Sequence, residues 1–199
     1  MARREPAPTG SVVLTDASAV RALAHPARLV VIDALYAGQV LTATECAALA
    51  GITPSAMSYH LRALEKYGLV RRAEARGDAR ERPWIRAGDT LSVNLRGSGP
   101  GSSLAAAELL VENSLQMEMQ RLVAAMRAEA DEDPGHAWSG TTTYARDQLL
   151  MTADEARELR AAVEELFGKY IWGKRQTDPP EDAAIFSASI LLARELPRD

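Results

Sequence analysis

This sequence predicts a mainly α chain with a small β component (α+β), and three stretches carry that prediction. Residues 42–70, TATECAALAGITPSAMSYHLRALEKYGLV, hold two successive helix signals around one glycine. Residues 69–87 hold two short strand signals on either side of an arginine-rich loop. Residues 104–130 place apolar side chains at near-heptad spacing, the signature of one long helix.

Taken in order, residues 1–14 are expected to be a disordered tail, since Pro6, Pro8 and Gly10 interrupt a segment with little to bury. Arg3 and Arg4 are expected to be solvated there, the alternative being contact with DNA phosphates. From Asp16 the apolar positions Val20, Leu23 and Ala24, then Leu29, Ile32, Leu35 and Tyr36, predict helix on both sides of Pro26. Proline cannot donate to the carbonyl four residues back and disfavours helix at His25, so a break is expected there. The second segment, 27 to about 37, ends at Gly38 and is expected to pack under the second of the two helices after it.

Thr42 and Glu45 form a capping box, in which hydroxyl and carboxylate satisfy backbone N–H groups that a helix start leaves unpaired. That helix runs to about Ala50 and stops at Gly51, whose missing Cβ permits the positive φ of a sharp reversal. Thr53 caps the next helix and Pro54 occupies its first position, where a missing N–H costs nothing. It ends at Gly68. Met57, Leu61 and Leu64 recur at spacings of four and three and are expected to be buried, which turns Ser55, Ser58, Tyr59 and Arg62 outward.

Two helices across a tight turn, the second offering hydroxyls and a guanidinium, have the geometry that fits a DNA major groove. Arg62 is suited to guanine, and the serines to bases or phosphates. The bland reading is an ordinary helical hairpin with a solvated face. The adjoining stretch favours DNA: residues 69–75 read as a strand, Arg76-Gly77-Asp78-Ala79-Arg80 as a polar loop, and residues 82–87 as a returning strand. Arg71, Arg72, Arg76, Arg80, Arg82 and Arg86 fall within this hairpin, interrupted by Glu74, Asp78 and Glu81. So much arginine suits a sugar-phosphate backbone or a minor groove, where charge is attracted without base identity.

The run ALAHPARLVVIDALY, then TECAALAGITPSAMSYHLRALEKYGLV, then RGDARERPW, covers about a third of the chain and resembles the winged helix-turn-helix domain of ArsR-type bacterial transcriptional regulators. The resemblance implies that Ser55, Ser58, Tyr59 and Arg62 lie on the recognition helix and that Arg76, Arg80 and Arg82 lie in the wing. It further implies a homodimer that represses transcription until a ligand or metal releases it, with the helix before Pro26 helping to form the dimer. The cysteine cluster of metal-sensing members is absent, so the resemblance is to a branch that does not sense metals. His25, His60 and Cys46 do not supply the three or four ligands that a transition-metal site wants, and Cys46 reads as a small buried hydrophobe. No metal and no cofactor is expected.

Composition sets the outer bounds. With 199 residues, 47% of them hydrophobic, the chain is long enough for one or two small domains. A single cysteine rules out an intrachain disulfide framework. No apolar run approaches the roughly 20 residues of a membrane span, and the start MARREPAPTG lacks the apolar core of a signal peptide, so the expected location is the cytoplasm. The net charge of −4 conceals an asymmetry: residues 21–86 hold 10 basic against 6 acidic side chains, and residues 87–199 hold 11 against 19. A basic module joined to an acidic one is what a DNA reader with a separate interaction domain presents. With no glycine-rich phosphate loop and no nucleophile motif, an enzyme is not expected.

The resulting domain organisation is a tail at 1–14, a winged domain at 15–96, a linker at 97–103 containing GSGPGSS, and a dimerisation and candidate effector domain at 104–199. Leu104, Ala107, Val111, Leu115, Met119, Leu122 and Met126 make a seam on the long helix. The seam wants either a symmetry mate or the chain's own final segments. Residues 138–151 suit an extended strand, and Thr152 with Glu155 caps a helix whose expected inner face is Ala156, Leu159, Val163, Leu166 and Tyr170. Residues 183–196 read as strand or helix, with strand preferred, so the C-terminal part is a small β-α-β or helical unit. Trp138, Tyr144, Phe167, Tyr170 and Trp172 read first as its core and second as walls of an effector pocket.

The expected function is a sequence-specific regulator of transcription, probing double-stranded DNA as a homodimer. The alternative is a winged helix used for protein contact.

Overall fold

The computed structural model describes residues 10–73, 82–93, 102–171, 175 and 180–195. Helix dominates and the β component is small, as expected. The chain divides into two units, one of residues 1–115 with 171–183 and one of residues 116–170 with 184–199. The division falls inside the long helix.

The first unit begins where a tail was expected. Residues Ser11–Leu14 form β1, which pairs in parallel with β4, Thr90–Val93, in the register Ser11↔Thr90 to Leu14↔Val93. Residues 1–9 lie outside the described residues, so the tail expectation is corrected for 11–14 only. Two strands of four residues, far apart in sequence, find one another because the backbone comes very close at Gly88. A Cβ added there would stand 2.8 Å from the Gly10 carbonyl oxygen. The adjacent Asp89 N–H donates to that same oxygen at 2.7 Å.

The helices start and stop where the sequence signals them. Asp16 caps α1, Ala17–Leu23, and the proline break follows. His25 then caps α2, Pro26–Tyr36, its Nδ1 accepting from the Ala27 N–H. The capping box of Thr42 and Glu45 opens α3, Ala43–Ala50, which Gly51 closes at φ 65°. Thr53 caps α4, Pro54–Lys66, with Pro54 in the first turn. Met57, Leu61 and Leu64 of α4 are wholly buried, as their spacing demanded, together with Val20, Val31, Leu35 and Leu69. Cys46 is wholly buried too, as expected of a small hydrophobe.

The hairpin is shorter than the sequence suggested. Strand β2 is Val70–Arg72 and β3 is Trp84–Arg86, antiparallel with Arg71 opposite Ile85. Leu41 bridges to Trp84 on the other side, so the residue before the Thr42 cap of α3 is stitched to the base of the wing. The loop residues 74–81, Arg76 and Arg80 included, lie outside the described residues.

Helix α5, Ser102–Ala130, begins inside the expected linker; residues 97–101 of that linker lie outside the described residues. Its first turns belong to the first unit, where Ala106, Ala107 and Leu110 are buried and the Asn113 side-chain amide donates to the Ala24 carbonyl at 2.8 Å. Of the expected seam only Ala107 is part of that contact; Leu104, Val111, Leu115, Met119 and Met126 are exposed.

In the second unit, α6 (Ala153–Gly168) starts at the Thr152–Glu155 capping box the sequence announced. The strands expected at 138–151 and 183–196 do not form among the described residues, and residues 183–195 form no helix either, so neither reading of that last segment holds. Alternation such as Phe186, Ala188, Ile190 and Leu192 states which face of a strand would be apolar, but a strand exists only with a ladder partner. The expected inner face of α6 also shifts. Leu166 and Tyr170 are exposed, whereas Ala156, Leu159, Val163 and Phe167 are half-buried.

Candidate nucleic-acid interface

The surface is built from α4 outward. Because Met57, Leu61 and Leu64 are sealed against the core, the opposite side of the helix must face solvent. Ser55 and Arg62 are exposed, Ser58 is half-buried and Tyr59 is 65% exposed. Two of the four are partly committed to the helix itself. The Ser58 hydroxyl donates to the Pro54 carbonyl at 2.8 Å, and Arg62 Nε donates to the Ser58 carbonyl at 3.1 Å. The second bond lays the arginine stem along the helix and leaves the end of the guanidinium as the part that can reach a base edge.

The wing is clamped at its base. Arg72 on β2 sits 3.8 Å from the centroid of the Trp84 ring and donates to the Arg82 carbonyl at 2.6 Å. Arg82 therefore anchors the hairpin through its backbone while its side chain is exposed.

Arg86 departs from the expectation that the hairpin arginines serve a polyanion. It is 2% exposed and pairs with Asp89 at 3.3 Å. Strand β3 is buried along its whole length, so a charge on it needs a partner inside the fold. Charge counting could not reveal this, although Asp89 three residues on was the available signal.

A second arrangement joins residues that sequence spacing does not bring together. The rings of His25, capping α2, and His60, on α4, lie 4.4 Å apart. Arg28 joins them: its Nε donates to His60 Nδ1 at 3.1 Å, and its Nη1 donates to the Ala22 carbonyl at 2.6 Å. Burial holds both imidazoles below the usual histidine value, with the Arg28 guanidinium lowering each further and His25 also lowering His60. Cys46 belongs to neither arrangement. Its thiol is pushed up to about 11 by burial, reinforced by the neighbouring Glu45 carboxylate. No group of three metal-ligating side chains occurs among the described residues.

In the second unit, Tyr144 and Tyr170 are exposed and Trp138 and Phe167 half-buried, while Trp172 lies outside the described residues. The ring that Trp138 packs on is that of Phe186, with centroids 5.6 Å apart. Phe186 was absent from the expected set.

The two capped helices across the left-handed Gly51 fall within a known sequence pattern. Residues 23–73 match the family model of a helix-turn-helix domain. The helix-turn-helix domain thus takes in α2, α3, α4 and β2 and covers about a quarter of the chain. Among solved structures, a mutant of ZitR from Lactococcus lactis in its apo form is 14% identical over 73% of this chain and 81% of that one, with a TM-score of 0.29. So distant a likeness extends nothing of ZitR to this chain. No curated protein matches the sequence. No helix among the described residues is long and apolar enough to cross a membrane.

Proposed function

We propose that the chain is a sequence-specific DNA-binding regulator of transcription, with α4 as recognition helix in the major groove and the wing on the backbone or minor groove. One observation carries the reading: the helix-turn-helix domain exposes Ser55, Tyr59 and Arg62 on the side of α4 opposite its buried Met57, Leu61 and Leu64. The basic excess of residues 21–86 supplies the electrostatic attraction such a surface needs.

A homodimer is the proposed state. Its support is the run of exposed apolar side chains on α5, including Leu104, Leu109, Val111 and Leu115 in the first unit and Met119, Val123 and Met126 in the second. Two copies of the recognition helix then address half-sites about one helical turn apart or a multiple of it. Repression is the mode implied by the ArsR resemblance. The aromatic residues of the second unit are read as packing before they are read as an effector pocket, because Trp138 already has a ring partner.

Anisotropy titrations on a selected duplex and its scrambled counterpart test the reading. Arg62→Ala is expected to cost about 1 to 3 kcal/mol on the selected duplex and to relax discrimination at one base pair. Arg82→Ala is expected to weaken both duplexes alike and to lower the salt slope by about one. A chain with no salt-sensitive affinity for any duplex is instead a winged-helix module for protein contact.

A further inference from the structure

We infer that His25, Arg28 and His60 form a positioning clasp that holds the recognition helix α4 against the start of α2, and that protonation of its two imidazoles opens it, so that DNA affinity falls on mild acidification. The inference rests on the DNA-binding reading above.

Each ring uses Nδ1 as an acceptor. His25 Nδ1 takes the Ala27 N–H at 3.2 Å, one of the backbone donors that the start of α2 leaves unpaired. His60 Nδ1 takes the Arg28 Nε–H at 3.1 Å. An imidazole that accepts at Nδ1 is neutral and carries its hydrogen on Nε2. Both acceptors are lost together in the imidazolium form, which has only donors.

Protonation is opposed three ways at this place. At His25 it sets a positive charge on a helix N-terminus, the end that already carries partial positive charge. At His60 it sets two donors and two cations against one another across the Arg28 contact. With ring centroids 4.4 Å apart, charging one imidazole also disfavours charging the other. The charged groups acting on the pair are Arg28 on α2 and the rings themselves, across α2 and α4; no carboxylate among the described residues acts on either. The end of α1 contributes the Ala22 carbonyl to Arg28, and α5 contributes the neutral Asn113 amide at the neighbouring Ala24 carbonyl.

The contact reaches the DNA face directly. His60 meets the ring of Tyr59 edge-on with centroids 5.7 Å apart, and Tyr59 is one of the exposed residues of the recognition helix. Releasing His60 from Arg28 therefore loosens both the seating of α4 and the orientation of a side chain that faces the groove.

Proton linkage sets the direction of the effect. Groups whose folded pKa lies below the unfolded value bind protons more readily in the unfolded chain. Stability is then full above the ordinary histidine range and falls as pH drops through it.

The test uses the full chain and the double variant His25→Asn, His60→Gln. Asparagine is a preferred helix cap and glutamine retains an oxygen acceptor for Arg28, while neither titrates. His136 is then the one histidine remaining, paired with Glu132 in the second unit, and it cancels in the comparison. Urea unfolding and duplex titrations are run between about pH 7.5 and about pH 5.5. The native chain is expected to lose urea midpoint on acidification where the double variant does not, and to lose specific affinity several-fold more than the variant. Equal acid shifts of the urea midpoint in both proteins overturn the clasp, whatever the DNA does. Unequal unfolding shifts with equal affinity profiles overturn its link to DNA. Absence of salt-sensitive duplex binding at about pH 7.5 removes the functional reading and that link with it, and is told apart because the unfolding curves need no DNA.

Discussion

The Arg72 guanidinium covers the ring of Trp84, a wholly buried indole on the opposite strand of the wing, at 3.8 Å from its centroid. The same guanidinium donates to the Arg82 carbonyl, so one side chain holds both strands at the point where the arginine-rich loop departs. Arg72→Ala is expected to cost about 1 to 2 kcal/mol, from a cation–π contact and one hydrogen bond. Urea unfolding measures that cost. Anisotropy is expected to show reduced wing-dependent affinity on all duplexes. Arg72→Lys is not expected to rescue either, since an ammonium lacks the planar fork that can stack and donate at once.

Leu61 and Tyr59 lie two residues apart on opposite sides of α4, and their substitutions separate folding from recognition. Leu61→Ala leaves a cavity in the core and is expected to cost about 2 to 5 kcal/mol of stability. Tyr59→Ala is expected to change stability by less than about 0.5 kcal/mol, the usual range for an exposed site, while lowering affinity for the selected duplex. Chemical denaturation alongside duplex titration checks both. A large stability loss in the tyrosine variant contradicts its assignment to the recognition face.

The Tyr36 hydroxyl donates to the Leu69 carbonyl at 3.0 Å, tying the end of α2 to the residue before β2. Burial raises this phenol to about 12, offset in part by the backbone N–H groups of Gly88 and Ala87 and by Arg86. A folded-state pKa above the ordinary phenol value favours the neutral form, so the contribution is present below about pH 10 and lost as pH rises through about 12. Tyr36→Phe is expected to cost about 1 kcal/mol at neutral pH and to remove this alkaline loss. Unfolding midpoints across the alkaline range measure it.

Gly88→Ala is expected to break the pairing of β1 with β4, because the new methyl would stand 2.8 Å from a backbone oxygen that has no room to retreat without disturbing the strand. Amide exchange at residues 11–14 and 90–93 is expected to accelerate, with α3 and α4 unchanged. Retained protection in those strands contradicts this account of the contact.

The candidate site was legible because it is made of local signals. Thr42 with Glu45, Gly51, Thr53 with Pro54, and the spacing of Met57, Leu61 and Leu64 each act within one or two helical turns, and the structure repeats all of them. The strand pair of the wing could be found for the same reason. Arg86 was not legible in the same way, because its chemistry depends on whether the strand it sits on is covered, which no stretch of neighbouring residues states.

The sequence alone thus determined the capped starts of α3, α4 and α6, the face that α4 turns outward and the place of the hairpin, since these depend on backbone capping and side-chain period over short spans. Only the tertiary structure decided that residues 11–14 pair with residues 90–93, that His25 and His60 share Arg28, and that the C-terminal apolar runs have no ladder. Those outcomes depend on which distant backbone edges and side chains arrive at the same place, and a one-dimensional pattern records the preference of each partner but not their meeting.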